Sequence, residues 1–236
     1  MSSDKVSFIE KGEVLLFDKP LYWTSFDLVN KVRIMIRSLA GIKDIKIGHA
    51  GTLDPLATGL MIILTGKATK RAEEFRDLDK EYVATITLGA TTPSFDLETE
   101  ITGEFPVGHI TVDLVKATLD NFLGEQLQMP PTHSAKLLNG KRSYEYARKG
   151  IHKEMNPVKV VFSEIELLSF DIPEIRVRIL CSKGTYIRAL ARDLGIALGS
   201  GAYLSSLVRT SIGHFQLKNA YTLENFEKFL KNLKQI

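Results

Sequence analysis

The chain of 236 residues holds one cysteine, Cys181. No intramolecular disulfide can form, and a reducing cytoplasm is the simplest setting. Long hydrophobic runs are also missing: the longest is about five residues, against the ~20 that a membrane-spanning helix needs. The first residues, MSSDKVSFIEKGE, carry acids and no apolar stretch, so no secretory signal is expected there. Five histidines (His49, His109, His133, His152, His214) are scattered, and one cysteine cannot build a thiolate cage, which argues against zinc. No Gly-x-Gly-x-x-Gly follows a strand-like run. Gly66-Lys67 has the outline of a phosphate loop, but Ala68 replaces the magnesium-binding Ser or Thr and Met61 replaces the first Gly. No metal and no cofactor are expected. Neither sign of charge dominates: the net charge is +3 and the pI near 8.8, which permits a nucleic-acid partner without requiring one.

What is present is an ordinary globular composition, 44% apolar and 25% charged. A chain of this length buries roughly 70–75% of its unfolded surface and needs no covalent staple. Val14 to Phe17 reads as a short strand stopped at Lys19-Pro20. Ser25 is expected to cap a helix to about Leu39, with Gly41 beyond its end. The run Leu60-Met61-Ile62-Ile63-Leu64 is expected to be an apolar helix, followed by a basic helical stretch around Lys67, Lys70 and Arg71. Tyr82 to Leu88 reads as a strand, Thr111 to Phe122 as a helix, and Tyr144 to Lys149 as a short helix closed by Gly150. Val160 to Phe170 and Ile175 to Cys181 form two strands. The second alternates Ile175, Val177 and Ile179 with Arg176 and Arg178, so one face is wet. Thr185 to Leu198 reads as a helix, Leu204 to Val208 and Phe215 to Leu217 as short strands. Thr222 caps a last helix with a stripe of Leu223, Phe226, Phe229, Leu230 and Leu233. There is no repeat, no linker and no regular βαβ beat. A single mixed α/β (α+β) domain over 1–236, with a largely antiparallel sheet, is expected.

Three segments carry chemistry. In Gly48 to Gly59, GHAGTLDPLATG, one aspartate, Asp54, sits in a loop of Gly, Thr and Pro, five residues after His49. A carboxylate held in a tight turn against a buried element suits a nucleophile or a charge stabiliser. From Lys136 to Lys153, six cations (Lys136, Lys141, Arg142, Arg148, Lys149, Lys153) face one acid, Glu145, beside Tyr144 and Tyr146. Such a segment suits phosphates and stacked bases, or equally a solvated helix face; the preceding Pro130-Pro131 favours a protruding loop. At the junction CSKGTYIR, Arg188 falls in the first turn of a helix, where the dipole disfavours a cation. That placement implies a specific anionic partner, or else a solvated surface arginine.

The stretches GHAGTLDPLATGLMIILTGKATK, KEYVATITLG and CSKGTYIRALARDLG, with Lys19-Pro20 upstream, resemble the tRNA pseudouridine-55 synthases, the TruB family, from about Val14 to Leu223. The resemblance implies the pseudouridine-synthase fold, with a basic insertion at about 125–155 and no C-terminal PUA domain. It implies isomerisation of uridine 55 in the TΨC arm of tRNA to pseudouridine, with no cofactor, in a cytoplasmic monomer that needs no obligate protein partner. Asp54 matches the catalytic aspartate, Arg188 the arginine that pairs with it, and Tyr82 the aromatic that stacks on the target base. His49 matches the histidine that fills the space left by flipped nucleotides. Tyr186 and Leu207, with Lys19 and Arg209, match substrate-binding positions. Lys136, Lys141, Arg142, Arg148 and Lys149 lie in the insertion that grips the RNA backbone. Without the family match, Tyr82 reads as a core strand aromatic and His49 as a loop histidine bonded to backbone. Two rival readings are a pseudouridylase of another RNA or of a guide-RNA particle, and a non-catalytic tRNA chaperone that would not need Asp54.

Overall fold

The structure, a computed structural model, describes residues 9, 11–42, 44–132, 137–138, 141–142 and 155–235. In chain order the elements are β1 (Val14–Lys19), α1 (Ser25–Met35), β2 (Ile47–His49), β3 (Ala57–Thr65), a 3-10 stretch (Gly66–Arg71) and α2 (Ala72–Arg76). There follow β4 (Lys80–Leu88), β5 (Ala90–Thr91), β6 (Gly103–Glu104), α3 (Val112–Asp120), β7 (Gly124–Gln128), β8 (Leu137–Leu138) and β9 (Lys141–Arg142). The remainder is β10 (Val158–Asp171), β11 (Glu174–Cys181), α4 (Ile187–Ala197), β12 (Ala202–Ile212), β13 (Phe215–Gln216) and α5 (Leu223–Gln235). The chain forms two compact units, residues 1–82 with 208–236, and residues 83–207. Their boundaries fall inside β4 and β12.

In the first unit β1 pairs antiparallel with β3, Val14 opposite Leu64 through Lys19 opposite Gly59, and β2 pairs with the other end of β3. The apolar run from Leu60 to Leu64 is therefore a strand and not the expected helix. It is apolar on both faces because both are covered: all five side chains are fully buried. A continuous apolar run of this length fits a doubly buried strand as well as a helix, and only the packing decides. Leu60, Ile62 and Leu64 share a cluster with Ala50, Phe75 and Ile212, and each such side chain contributes about 1.5–3 kcal/mol.

Helix α1 is capped by Thr24 and not by Ser25. The Thr24 hydroxyl accepts from the Asp27 N–H at 3.1 Å, and the Thr24 N–H donates back to the Asp27 carboxylate at 2.9 Å, which is a capping box. After a π-helical turn (Ile36–Ala40), Gly41 closes the segment at φ 78°. The last helix, α5, carries the expected stripe. Phe226 is fully buried and meets Phe17 of β1 edge-on at 4.9 Å, while Asn225 N–H donates to the Thr222 hydroxyl at 3.2 Å.

In the second unit the strand order is β4–β11–β10–β7, with β10 antiparallel to both β11 and β7. The expected hairpin of 160–170 and 175–181 is β10–β11. Ile175, Val177 and Ile179 are fully buried, and on the wet face Arg178 pairs with Glu164 and Glu166 at 2.9 and 2.8 Å. The expected short strand at Leu204–Val208 is the middle of the eleven-residue β12. The helix expected at Tyr144–Lys149 lies outside the described residues.

Candidate functional site

The loop between β2 and β3 carries Asp54, half-buried, and the first unit fixes this loop from several sides. Ser25 Oγ donates to the Leu53 carbonyl at 3.1 Å and accepts from the Leu53 N–H at 2.9 Å. The serine left free by Thr24's capping role thus clamps the residue before Asp54. On the other flank, Pro55 offers its carbonyl to the Tyr22 N–H at 2.8 Å and to Lys19 Nζ at 3.4 Å. The loop closes on itself where Ala57 N–H donates to the Asp54 carbonyl at 3.1 Å.

Lys19 is completely buried. Its ammonium also donates to the carbonyls of Pro20 at 2.9 Å and Trp23 at 2.6 Å. Burial pushes its pKa down to about 8; the Asp54 carboxylate opposes that shift and the Arg209 guanidinium adds to it. Lys19 thus stands in the field of Asp54 while its own donors are taken by backbone. Beside it, burial raises the pKa of Asp18, against the Gly59 N–H that donates to its carboxylate at 3.2 Å.

Arg209 is 1% exposed. Its guanidinium donates to the carbonyls of Leu60 at 2.7 Å, Gly51 at 3.3 Å and Thr52 at 3.4 Å. The charge thus spans the start of β3 and the start of the aspartate loop. This close seat needs Gly59, at φ 102°: an added Cβ would stand 2.7 Å from the Arg209 backbone N and closer still to its carbonyl O. The family resemblance implies substrate binding for Arg209; the structure places its side chain on loop carbonyls.

In the second unit Arg188 is the second residue of α4 and 4% exposed, so it is not a solvated surface arginine. Its Nε lies 3.5 Å from an Asp96 carboxylate oxygen, and Nη1 donates to the Ser94 carbonyl at 3.2 Å. A cation at a helix N-terminus works against the dipole, and Asp96 offsets that cost. The turn carrying Asp96 is itself locked: the Thr92 hydroxyl donates to the Asp96 carbonyl at 2.6 Å, and Glu98 N–H donates to its carboxylate at 3.0 Å. Asp96 was missed in the sequence. Its only signal there was a Thr-Thr-Pro-Ser-Phe-Asp turn after Gly89, with nothing to link it to Arg188.

Tyr186 caps α4 with its backbone, held by Gln128, which accepts from the Tyr186 N–H at 2.8 Å and donates to its carbonyl at 3.1 Å. Leu207 is buried on β12 and Tyr82 on β4. His49 is half-buried at the end of β2, opposite Ile63. The first unit therefore gathers Lys19, Asp54 and Arg209, and the second gathers Tyr186 and Arg188 around the start of α4. Lys141 and Arg142 form β9, paired with β8; Lys136, Arg148 and Lys149 lie outside the described residues. Among the described residues no group of three or more His, Cys, Asp or Glu side chains is placed to hold a metal ion. No helix among them is long and apolar enough to cross a membrane.

A family model described as TruB family pseudouridylate synthase (N terminal domain) matches residues 37–187, and one described as tRNA pseudouridylate synthase B C-terminal domain matches residues 188–235. A protein of Phocaeicola vulgatus named tRNA pseudouridine synthase B is 57% identical over 221 residues, 94% of each chain. One of the same name from Flavobacterium johnsoniae is 50% identical over 222 residues, 94% of this chain and 97% of that protein. Among solved structures, a chain of a Cbf5-Nop10-Gar1 complex is 27% identical with a TM-score of 0.71, covering 95% of this chain and 56% of that one. A chain of an H/ACA RNP bound to a substrate RNA containing 2′-deoxyuridine is 26% identical with a TM-score of 0.69, covering 97% and 56%. This chain spans a little over half the length of those two structural neighbours.

Proposed function

This chain belongs to the TruB family of pseudouridylate synthases, and from that premise we propose that it isomerises uridine 55 in the TΨC loop of tRNA to pseudouridine. The C1′–N1 bond breaks, the base turns, C5 bonds to C1′ and gives up its proton, and N1 takes up a proton. No atom is gained and no electron leaves, so the reaction needs no redox partner. The uridine is first flipped out of its folded loop, at a cost of a few kcal/mol, which shape and phosphate contacts to the RNA offset.

Asp54 is the carboxylate that meets the positive charge developing at C1′, as in glycoside cleavage. The observation that carries this reading is the fixation of the Asp54 loop. Leu53 is held by Ser25, Pro55 by Tyr22 and Lys19, and Gly51 and Thr52 by Arg209. A carboxylate needs such a frame to be placed within tenths of an ångström of a reacting carbon. Lys19 and Arg209 act through that frame. Tyr82 gives the extruded uracil a flat face, Arg188 is the motif's catalytic arginine, and His49, Tyr186 and Leu207 line the substrate. Lys136, Lys141, Arg142, Arg148 and Lys149 take phosphates. The enzyme works in the cytoplasm as a monomer, without an obligate protein partner.

The deciding experiment is incubation with an unmodified tRNA transcript, with nothing else added, and mapping of pseudouridine. Conversion at position 55 is expected, and its absence would sink the reading. Asp54→Asn is expected to reduce conversion to background while tRNA binding stays within about threefold, a change of under 1 kcal/mol. Removing the charges of Lys141 and Arg142 is expected to flatten the salt dependence of binding by about 0.7–0.9 in log–log slope for each phosphate no longer neutralised.

A further inference from the structure

Tyr22 occupies a backbone conformation that residues with a Cβ avoid, at φ 66°. The residue is 74% exposed, and its chain neighbours Leu21 and Phe26 are exposed as well. Such strain persists only where the surroundings impose it. Here the Tyr22 N–H is tied to the carbonyl of Pro55, the residue after Asp54, at 2.8 Å. The left-handed turn therefore sets a large aromatic face in solvent at the rim of the aspartate loop.

Phe95, in the second unit, offers the contrast. It too has positive φ, 62°, but its ring lies under the Arg192 guanidinium at 5.0 Å, and its carbonyl accepts from the Leu204 N–H at 2.9 Å. Structural contacts account for its ring and backbone alike. For Tyr22 they account for the backbone and leave the ring in water. A bare aromatic face costs hydration and strain at once, and neither is needed to hold Pro55, since glycine would give the same N–H without strain.

We propose that Tyr22 is a stacking platform for an unpaired nucleobase of the RNA substrate, next to the nucleotide that enters over Asp54. Two features fix the occupant as a base. The backbone that carries the ring is one hydrogen bond away from the aspartate loop, where RNA must come. And on the adjoining helix and its extension two exposed cations, Lys31 and Arg37, stand against one acid, Asp27, the sign of charge that RNA phosphates require; Arg33 is committed to Asn30 and the Ile47 carbonyl. This rests on the pseudouridine-synthase reading for the nature of the ligand, but assigns a residue that none of the motifs above includes.

The test uses the whole chain and two RNA probes: a synthetic TΨC stem-loop with uridine 55, and a fully paired duplex of the same stem. Tyr22→Trp, made in a Trp23→Phe background, leaves a single indole in the protein. Its fluorescence is expected to fall when the stem-loop binds and to stay unchanged with the duplex. Equal quenching by both probes, or none by the stem-loop, overturns the proposal. In turnover, Tyr22→Gly is expected to raise KM about tenfold, the worth of one stacked base, with a smaller change in kcat and no fall in Tm. Tyr22→Phe, which keeps the ring, is expected to restore most of the loss. An unchanged KM in Tyr22→Gly overturns the proposal as well. Wild-type protein that leaves uridine 55 unmodified would sink the underlying reading; active wild type with an indifferent Tyr22→Gly would sink this inference alone.

Discussion

Buried cations hold both the Asp54 loop of the first unit and the 92–96 turn of the second, but they meet different oxygens. Lys19 and Arg209 donate to backbone carbonyls at six points, those of Pro20, Trp23 and Pro55 and those of Gly51, Thr52 and Leu60. Arg188 donates to one carbonyl, that of Ser94, but also stands 3.5 Å from the carboxylate of Asp96. A carbonyl satisfies a cation's hydrogen bonds without cancelling its charge, whereas a carboxylate does both. The first arrangement sets backbone in place and leaves a positive field for Asp54. The second fixes an arginine and tempers its charge.

Removing an anchor from the first arrangement should have the largest effect. Arg209→Met leaves three carbonyls to lose their donor and is expected to destabilise the protein by about 3 kcal/mol, at 1–3 kcal/mol for each buried group left unsatisfied. Urea unfolding measures it, and a midpoint equal to wild type would mean that the loop does not depend on Arg209. In the second arrangement geometry matters more than charge. Arg188→Lys keeps the cation but loses the planar fork; it is expected to lower kcat/KM at least tenfold, about 1.4 kcal/mol of transition-state stabilisation, with a smaller fall in the urea midpoint than Arg209→Met. If stability falls more than turnover, the arginine is a structural strut like Arg209 and the contrast dissolves.

The smallest effect is a pH dependence. Lys19 titrates at about 8 in the folded chain, against 10.5 for the ordinary side chain. Between those values the unfolded chain holds a proton that the folded chain has released, so stability rises with pH there. Below pH 8 the cost of burying the ammonium is fully present. The urea midpoint of wild type relative to Lys19→Met is therefore expected to increase from pH 7 to pH 10. A difference that stays constant over that range would mean that Lys19 keeps its proton and its field.

Much of this was legible in the residues, and what was not has a common cause. The β10–β11 hairpin and the α5 stripe were readable because alternation and helical spacing report one buried face each. The family is written in three motifs, and the TruB resemblance they carry agrees with the family matches. The run Leu60–Leu64 was misread because a strand covered on both faces has no alternation to show. The cap shifted from Ser25 to Thr24 because both can cap, and only tertiary contact with Leu53 claims the serine. Asp96 was invisible for the same reason: Arg188 meets its turn at a separation of 94 residues, and no local pattern encodes such a meeting.

The first unit is discontinuous, and this bears on how the protein is made. Residues 83–207 form a contiguous stretch, complete before the ribosome has delivered residues 208–236. The aspartate loop is synthesised early, yet Arg209 follows Gly51 by 158 residues. At about 5–20 residues per second, the loop waits about 8–32 s for the guanidinium that braces it. A nascent chain stalled short of that point therefore carries the acid of the proposed chemistry without its scaffold, and competence is gained only once Arg209 has emerged.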